Sequence, residues 1–209
     1  MKDCFLPIRI SQTYPYKIFQ NFRSKGVMRI LFVGLISIFG LSMHAQVYLT
    51  KVNSVWDDRM TEWEIHGVDT SENEVRYSLS LTWPLKRDWA EWSISGEDFT
   101  ARIRPKWTGD YSNWELRTNL GIISMRQRFS GDLTQWSISQ GNRRIVLKTR
   151  YRQNANDWIV ERNPDLWYMY TEYVDDPRDW LIEDFAEEEL SLSLRMAMVF
   201  ISLWQSIPK

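Results

Sequence analysis

Apolar and polar residues alternate along most of this chain, and the alternation restarts on a fixed spacing. Trp92, Trp114, Trp136, Trp158 and Trp180 follow one another at 22-residue intervals, and an earlier copy, Trp63, stands 29 residues before Trp92. An aliphatic residue lies two positions after each: Ile65, Ile94, Leu116, Ile138, Val160 and Ile182. Period two marks strands, and a repeat of this size marks one supersecondary unit copied many times.

The unit reads as a β-hairpin. Ahead of the turn the apolar face is Ala101, Ile103 and Trp107 in one copy, Ile123, Met125 and Phe129 in the next, then Ile145, Leu147 and Tyr151, then Trp167, Met169 and Tyr173. After the turn the same face carries the Trp and its aliphatic partner. Four residues before the Trp stands Asp88, Asp110, Asp132, Asn154 or Asp176, with Gly109 and Gly131 just ahead of two of them. Glycine accepts positive φ, and an Asp side chain can accept from backbone amides two residues on. A second Gly-, Asn- or Pro-bearing turn follows each Trp strand. Short turns throughout make an all-β antiparallel meander of about thirteen strands of ordinary length. A sheet that long curls or splits, so it is expected to form a barrel or a two-layer sandwich with the Trp inside.

The run from Leu190 to Phe200 breaks the repeat. Leu190, Leu192, Leu194, Met196, Met198 and Phe200 alternate, which predicts one or two further strands. Leu190, Leu194 and Met198 are also four apart, so a helix competes.

Residues 28–45, MRILFVGLISIFGLSMHA, combine a basic residue, an apolar run and a small-residue site, as in a secretory signal peptide. The apolar run is short for a membrane span, which is the competing reading. Residues 1–27 read as a mis-annotated leader, and 46–209 as a single domain. Cys4, the only cysteine, lies in the leader, so packing rather than disulfides is expected to stabilise the domain. The first 45 residues hold six basic and one acidic residue. With 26 Lys and Arg and 27 Asp and Glu in all, 20 basic and 26 acidic remain, a balance of −6. A nucleic-acid partner would want a basic surface, and none is expected.

The opposite sheet face is charged. Arg102, Arg104, Lys106, Arg126, Arg128, Lys148 and Arg150 line the strands before the turns; Glu91, Glu115, Asp157, Glu161, Asp179 and Glu183 line the Trp strands. Cross-strand pairs of about 0.2–1 kcal/mol each are the simplest account, with an anion- or glycan-gripping surface the sharper one.

Catalytic chemistry finds little support. His66 is the one histidine of the domain and reads as a turn residue at a strand end, outside any triad or zinc motif. The turn Asp series offers too few oxygens per loop for calcium. A carboxylate pair for glycoside hydrolysis is not excluded by composition, although acids placed by a repeat read as scaffold. No catalytic residue, metal or cofactor is expected. Trp89, Tyr111 and Leu133 occupy one turn position and are the candidate exposed contact strip. The sequence thus reads as an exported, non-enzymatic β-repeat protein in the periplasm, at the cell surface or secreted. It would act as a binding or structural surface for a protein or glycan partner that the sequence does not name. An outer-membrane β-barrel is the alternative. It needs an apolar band about 25 Å tall, which two apolar positions per Trp strand do not supply, and an even strand count. A glycan-binding or glycan-acting protein using Trp, Tyr and carboxylates is a second alternative.

Overall fold

The computed structural model describes residues 46–207 except 87, 152–153 and 187–188; the leader and signal-peptide expectations over 1–45 lie outside the described residues. The domain is a closed antiparallel barrel. Its strands are β1 (Val47–Ser54), β2 (Glu62–Asp69), β3 (Glu74–Trp83), β4 (Asp88–Gly96), β5 (Thr100–Pro105) and β6 (Asn113–Thr118). They continue as β7 (Gly121–Gln127), β8 (Gln135–Gln140), β9 (Arg143–Thr149), β10 (Asp157–Val160), β11 (Trp167–Tyr173) and β12 (Asp176–Asp184). Each pairs with its neighbour in sequence, and β12 returns to β1 through Lys51↔Leu181, Val52↔Trp180 and Asn53↔Asp179. The strands number twelve where about thirteen were expected, and of the two expected arrangements the chain takes the barrel. The count is even, so an odd number no longer speaks against a membrane barrel.

The apolar face points inward. Trp63, Trp92, Trp114, Trp136, Trp158 and Trp180 are all 1% exposed or less. Burial of each is worth about 1.5–3 kcal/mol. Their partners at +2 are buried with them. The long interval between Trp63 and Trp92 is a longer hairpin, with β2 and β3 at 8 and 10 residues. His66 therefore lies inside β2, opposite Arg76, and not in a turn. At Gly67 a Cβ would stand 2.6 Å from the Tyr48 carbonyl oxygen, so glycine is required where β1 and β2 approach.

The expected terminal strand is instead helix α1 (Leu192–Ser206). Every residue from Ser193 to Trp204 is buried, so the helix is wrapped on all sides. The reason is hydrogen bonding. Once β12 pairs β1, the sheet has no edge left for another strand. A segment inside the barrel must satisfy its own backbone, and a helix does. Leu, Met and Ala favour it, and the Ser191 hydroxyl caps it by accepting from the Leu194 N–H (3.3 Å). Side chains alone fill a barrel of about eight strands. Twelve leave room for a fifteen-residue helix about 22 Å long. Phe200 and Trp204 meet Trp114 edge-on at centroid distances of 5.0 and 4.8 Å.

One ion pair is enclosed with the helix. Arg195 Nε lies 2.7 Å from Asp184 Oδ2, with both side chains at 1% exposure or less. Asp184 also accepts from the Leu49 N–H (3.0 Å) and the Ala186 N–H (3.2 Å). Arg195 donates to the carbonyls of Ala186 (2.6 Å) and Leu190 and lies over the Tyr48 ring. One carboxylate thus ties together the closing seam, the chain leaving β12 and the helix.

The outer wall is polar. Arg102 pairs with Glu91 (3.3 Å), Arg128 with Glu161 (2.8 Å) and Lys51 with Glu172 (3.0 Å). His66 sits on this wall within 3.6 Å of Glu64 and 3.5 Å of Glu74. Among the described residues no helix is long and apolar enough to cross a membrane.

Candidate functional site

Six connections gather at one end of the barrel: those after β1, β3, β5, β7, β9 and β11. Their construction repeats. The side chain at position −4 from the Trp accepts from the N–H two residues on: Asp88 from Ala90 (3.0 Å), Asp110 from Ser112 (2.9 Å), Asp132 from Thr134 (2.9 Å), Asn154 from Asn156 (2.9 Å) and Asp176 from Arg178 (3.1 Å). The carbonyl at −3 then accepts the buried indole N–H. Trp92 donates to Trp89 (2.9 Å), Trp114 to Tyr111 (3.0 Å), Trp136 to Leu133 (3.1 Å), Trp158 to Ala155 (2.7 Å) and Trp180 to Pro177 (2.8 Å). The Asx turn aims that carbonyl inward, and the indole finds its acceptor without a polar side chain in the core. Trp63 has no such turn before it, and its N–H meets no acceptor among the described residues.

The same turns throw their first corner outward. Asp110 and Asp132 donate their N–H to the carbonyls of Trp107 (3.0 Å) and Phe129 (3.1 Å). Gly109 and Gly131 supply the positive φ, 80° and 78°, that a type II turn requires, and Asp175 takes φ 59° at the equivalent place. Trp107, Phe129, Tyr151 and Tyr173 are therefore 54–64% exposed, which corrects their placement on the apolar inner face. For the first three the strand ends at 105, 127 or 149, and counting by twos through the turn carries them to the wrong side; Tyr173 closes β11 after a register shift between Thr171 and Tyr173. Trp56 and Trp83 join them, and Leu85 and Val174 project almost fully into solvent.

Of the contact strip read from sequence, Tyr111 and Leu133 are exposed at this end, while Trp89 is half-buried. The Trp89 ring leans on Trp92 at 5.9 Å, and that of Tyr111 on Trp204 at 5.6 Å. Beside Trp89 a cleft of about 630 Å³ opens between Arg59, Met60, Pro84 and Ile207.

Cations accompany the rim. Arg59 lies over Trp56, Lys106 over Trp107, Arg128 over Phe129 and Arg150 over Tyr151, at 5.5–5.9 Å from the ring centroids. Of the acids at this end, Asp57, Asp58 and Asp175 are exposed, whereas Asp110 and Asp176 are drawn into their turns. Ser112 and Asn113 hold the Asp110 carboxyl below the usual range, and Arg178 holds that of Asp176 down to about 2. The other end carries Glu72, Glu97, Asp98 and Asp165 beside Arg143, Arg144 and Arg162, and Leu120, Ile122 and Phe185 are among its exposed large apolar residues.

No group of three or more His, Cys, Asp or Glu side chains is placed to hold a metal among the described residues. No protein-family model, curated protein or solved structure matches this chain.

Proposed function

We propose that this protein is an exported, non-catalytic binding module that works through the aromatic rim at one end of its barrel. The observation that carries this reading is the repetition of an exposed ring at every connection of that end, on a barrel whose interior is already filled. Isolated surface apolar residues are ordinary, whereas a set gathered on neighbouring hairpins of one end marks an interaction site. A membrane-spanning barrel would need an outward apolar band about 25 Å tall. Here the outward wall carries ion pairs, and the apolar face meets the helix, which favours the non-spanning reading.

The test is retention on whole envelope fragments of the source cell. The wild-type protein is expected to sediment with them, and a variant carrying Trp107→Ser, Phe129→Ser, Tyr151→Ser and Tyr173→Ser is expected to stay in solution with its thermal midpoint unchanged. Equal retention of the two rejects the rim as the working surface.

A further inference from the structure

We infer that the rim docks on the interfacial zone of a phospholipid bilayer, rings first, with the barrel wall standing in water; this rests on the rim being the binding surface. Two features select this occupant, and a third sets how it is held. The first is shape. Trp56, Trp83, Trp107, Phe129, Tyr151 and Tyr173 stand on successive hairpins around a closed barrel, about 10 Å apart at two strand spacings. A linear glycan tracks a row, not a ring. A laterally uniform surface can meet every hairpin at once, whatever the rotation about the barrel axis.

The second is side-chain chemistry. Trp and Tyr settle at the headgroup level of bilayers, apolar body inward and polar tip outward. Between them Leu85 and Val174, 98% and 92% exposed, are aliphatic tips that do not stack on sugars but do enter an acyl layer. The faces a pyranose would use are covered in four copies by the cations of Arg59, Lys106, Arg128 and Arg150.

The third is charge. Ammonium and guanidinium groups at ring level meet the phosphate layer, but the exposed carboxylates of Asp57, Asp58 and Asp175 stand at the same end and offset them. Part of this charge is already matched, since Arg128 pairs with Glu161 and Arg59 lies 3.5 Å from Asp58. The rings therefore carry most of the attachment, and added salt weakens it without abolishing it.

The experiment is sedimentation with vesicles of equal parts phosphatidylcholine and phosphatidylglycerol, paired with fluorescence quenching by bromine-labelled lipid. The wild-type protein is expected to bind, and bromolipid to quench the exposed rim indoles while the enclosed ones persist. The four-serine rim variant is expected to lose at least tenfold in partitioning at an unchanged thermal midpoint. A variant at the other end, Leu120→Ser with Phe185→Ser, should bind as the wild type does. Absence of vesicle binding at saturating lipid, or binding indifferent to the rim variant, overturns the lipid assignment. So does self-association of the pure protein through the rim in place of lipid binding. If vesicles fail while retention on envelope fragments still needs the rim, only the lipid assignment falls. If both fail, the rim reading falls with it.

Discussion

An indole buried in a barrel needs an acceptor, and five copies of the repeat supply one from the backbone at position −3. Trp63 lacks it. Trp136→Phe should therefore destabilise more than Trp63→Phe, by about 1 kcal/mol, because only the former breaks a bond; denaturant midpoints of the two variants check this. The Asx side chain is equally open to test. Asp110→Ala should lower the denaturant midpoint, while Asp110→Asn should leave it nearly unchanged, since Asn154 already performs the role in another copy. Asp176 adds a pH signature. Its folded value, about 2, lies below the ordinary 3.8, so its contribution is present above that ordinary value and is lost as pH falls from about 4 towards 2. Asp176→Asn should flatten the unfolding free energy across that window. The turn Asp was legible in the sequence because its spacing from the Trp is fixed and its chemistry is local. The indole acceptor was not, because a backbone carbonyl leaves no mark in composition.

At the scale of elements, the hairpins were legible and helix α1 was not. Periodicity reports a difference between two sides, and a segment enclosed all round has none. Alternation from Leu190 to Phe200 was incidental, since Arg195, Ala197 and Val199 between those residues are as buried as they are. The informative residue was Arg195, a charge inside an apolar run. Arg195→Met should destabilise by about 3–5 kcal/mol, because it leaves the Asp184 carboxylate enclosed without its cation. Calorimetry would show a lowered midpoint, and an unchanged one would mean that the backbone donors suffice for Asp184. The rim aromatics were misplaced for a related reason. Alternation holds only while the strand lasts, and Trp107, Phe129 and Tyr151 lie beyond its end.

For the whole molecule, closure was legible only as a pair of options, because strand number and curvature are global properties. The arrangement makes an optical prediction. Eight of the twelve tryptophans, the six of the series with Trp167 and Trp204, are 3% exposed or less. Iodide should quench a minority of the emission, arising from Trp56, Trp83 and Trp107, and Trp107→Phe should shrink that fraction.

The seam between β1 and β12 joins residues 135 positions apart, and the helix that fills the lumen follows both. A growing chain cannot close until β12 has been made at Asp184, and cannot fill until the helix has been made at Ser206. Such long-range pairing is slow to form, because distant segments must meet before any contact rewards them. Every nascent intermediate short of β12 is thus an open trough lined with unshielded indoles. The chain must be kept from its neighbours until translation is nearly done: a premature stop before Asp176 would yield a sticky half-pipe, and one between Asp184 and Leu192 a barrel without its filling, rather than a smaller working domain.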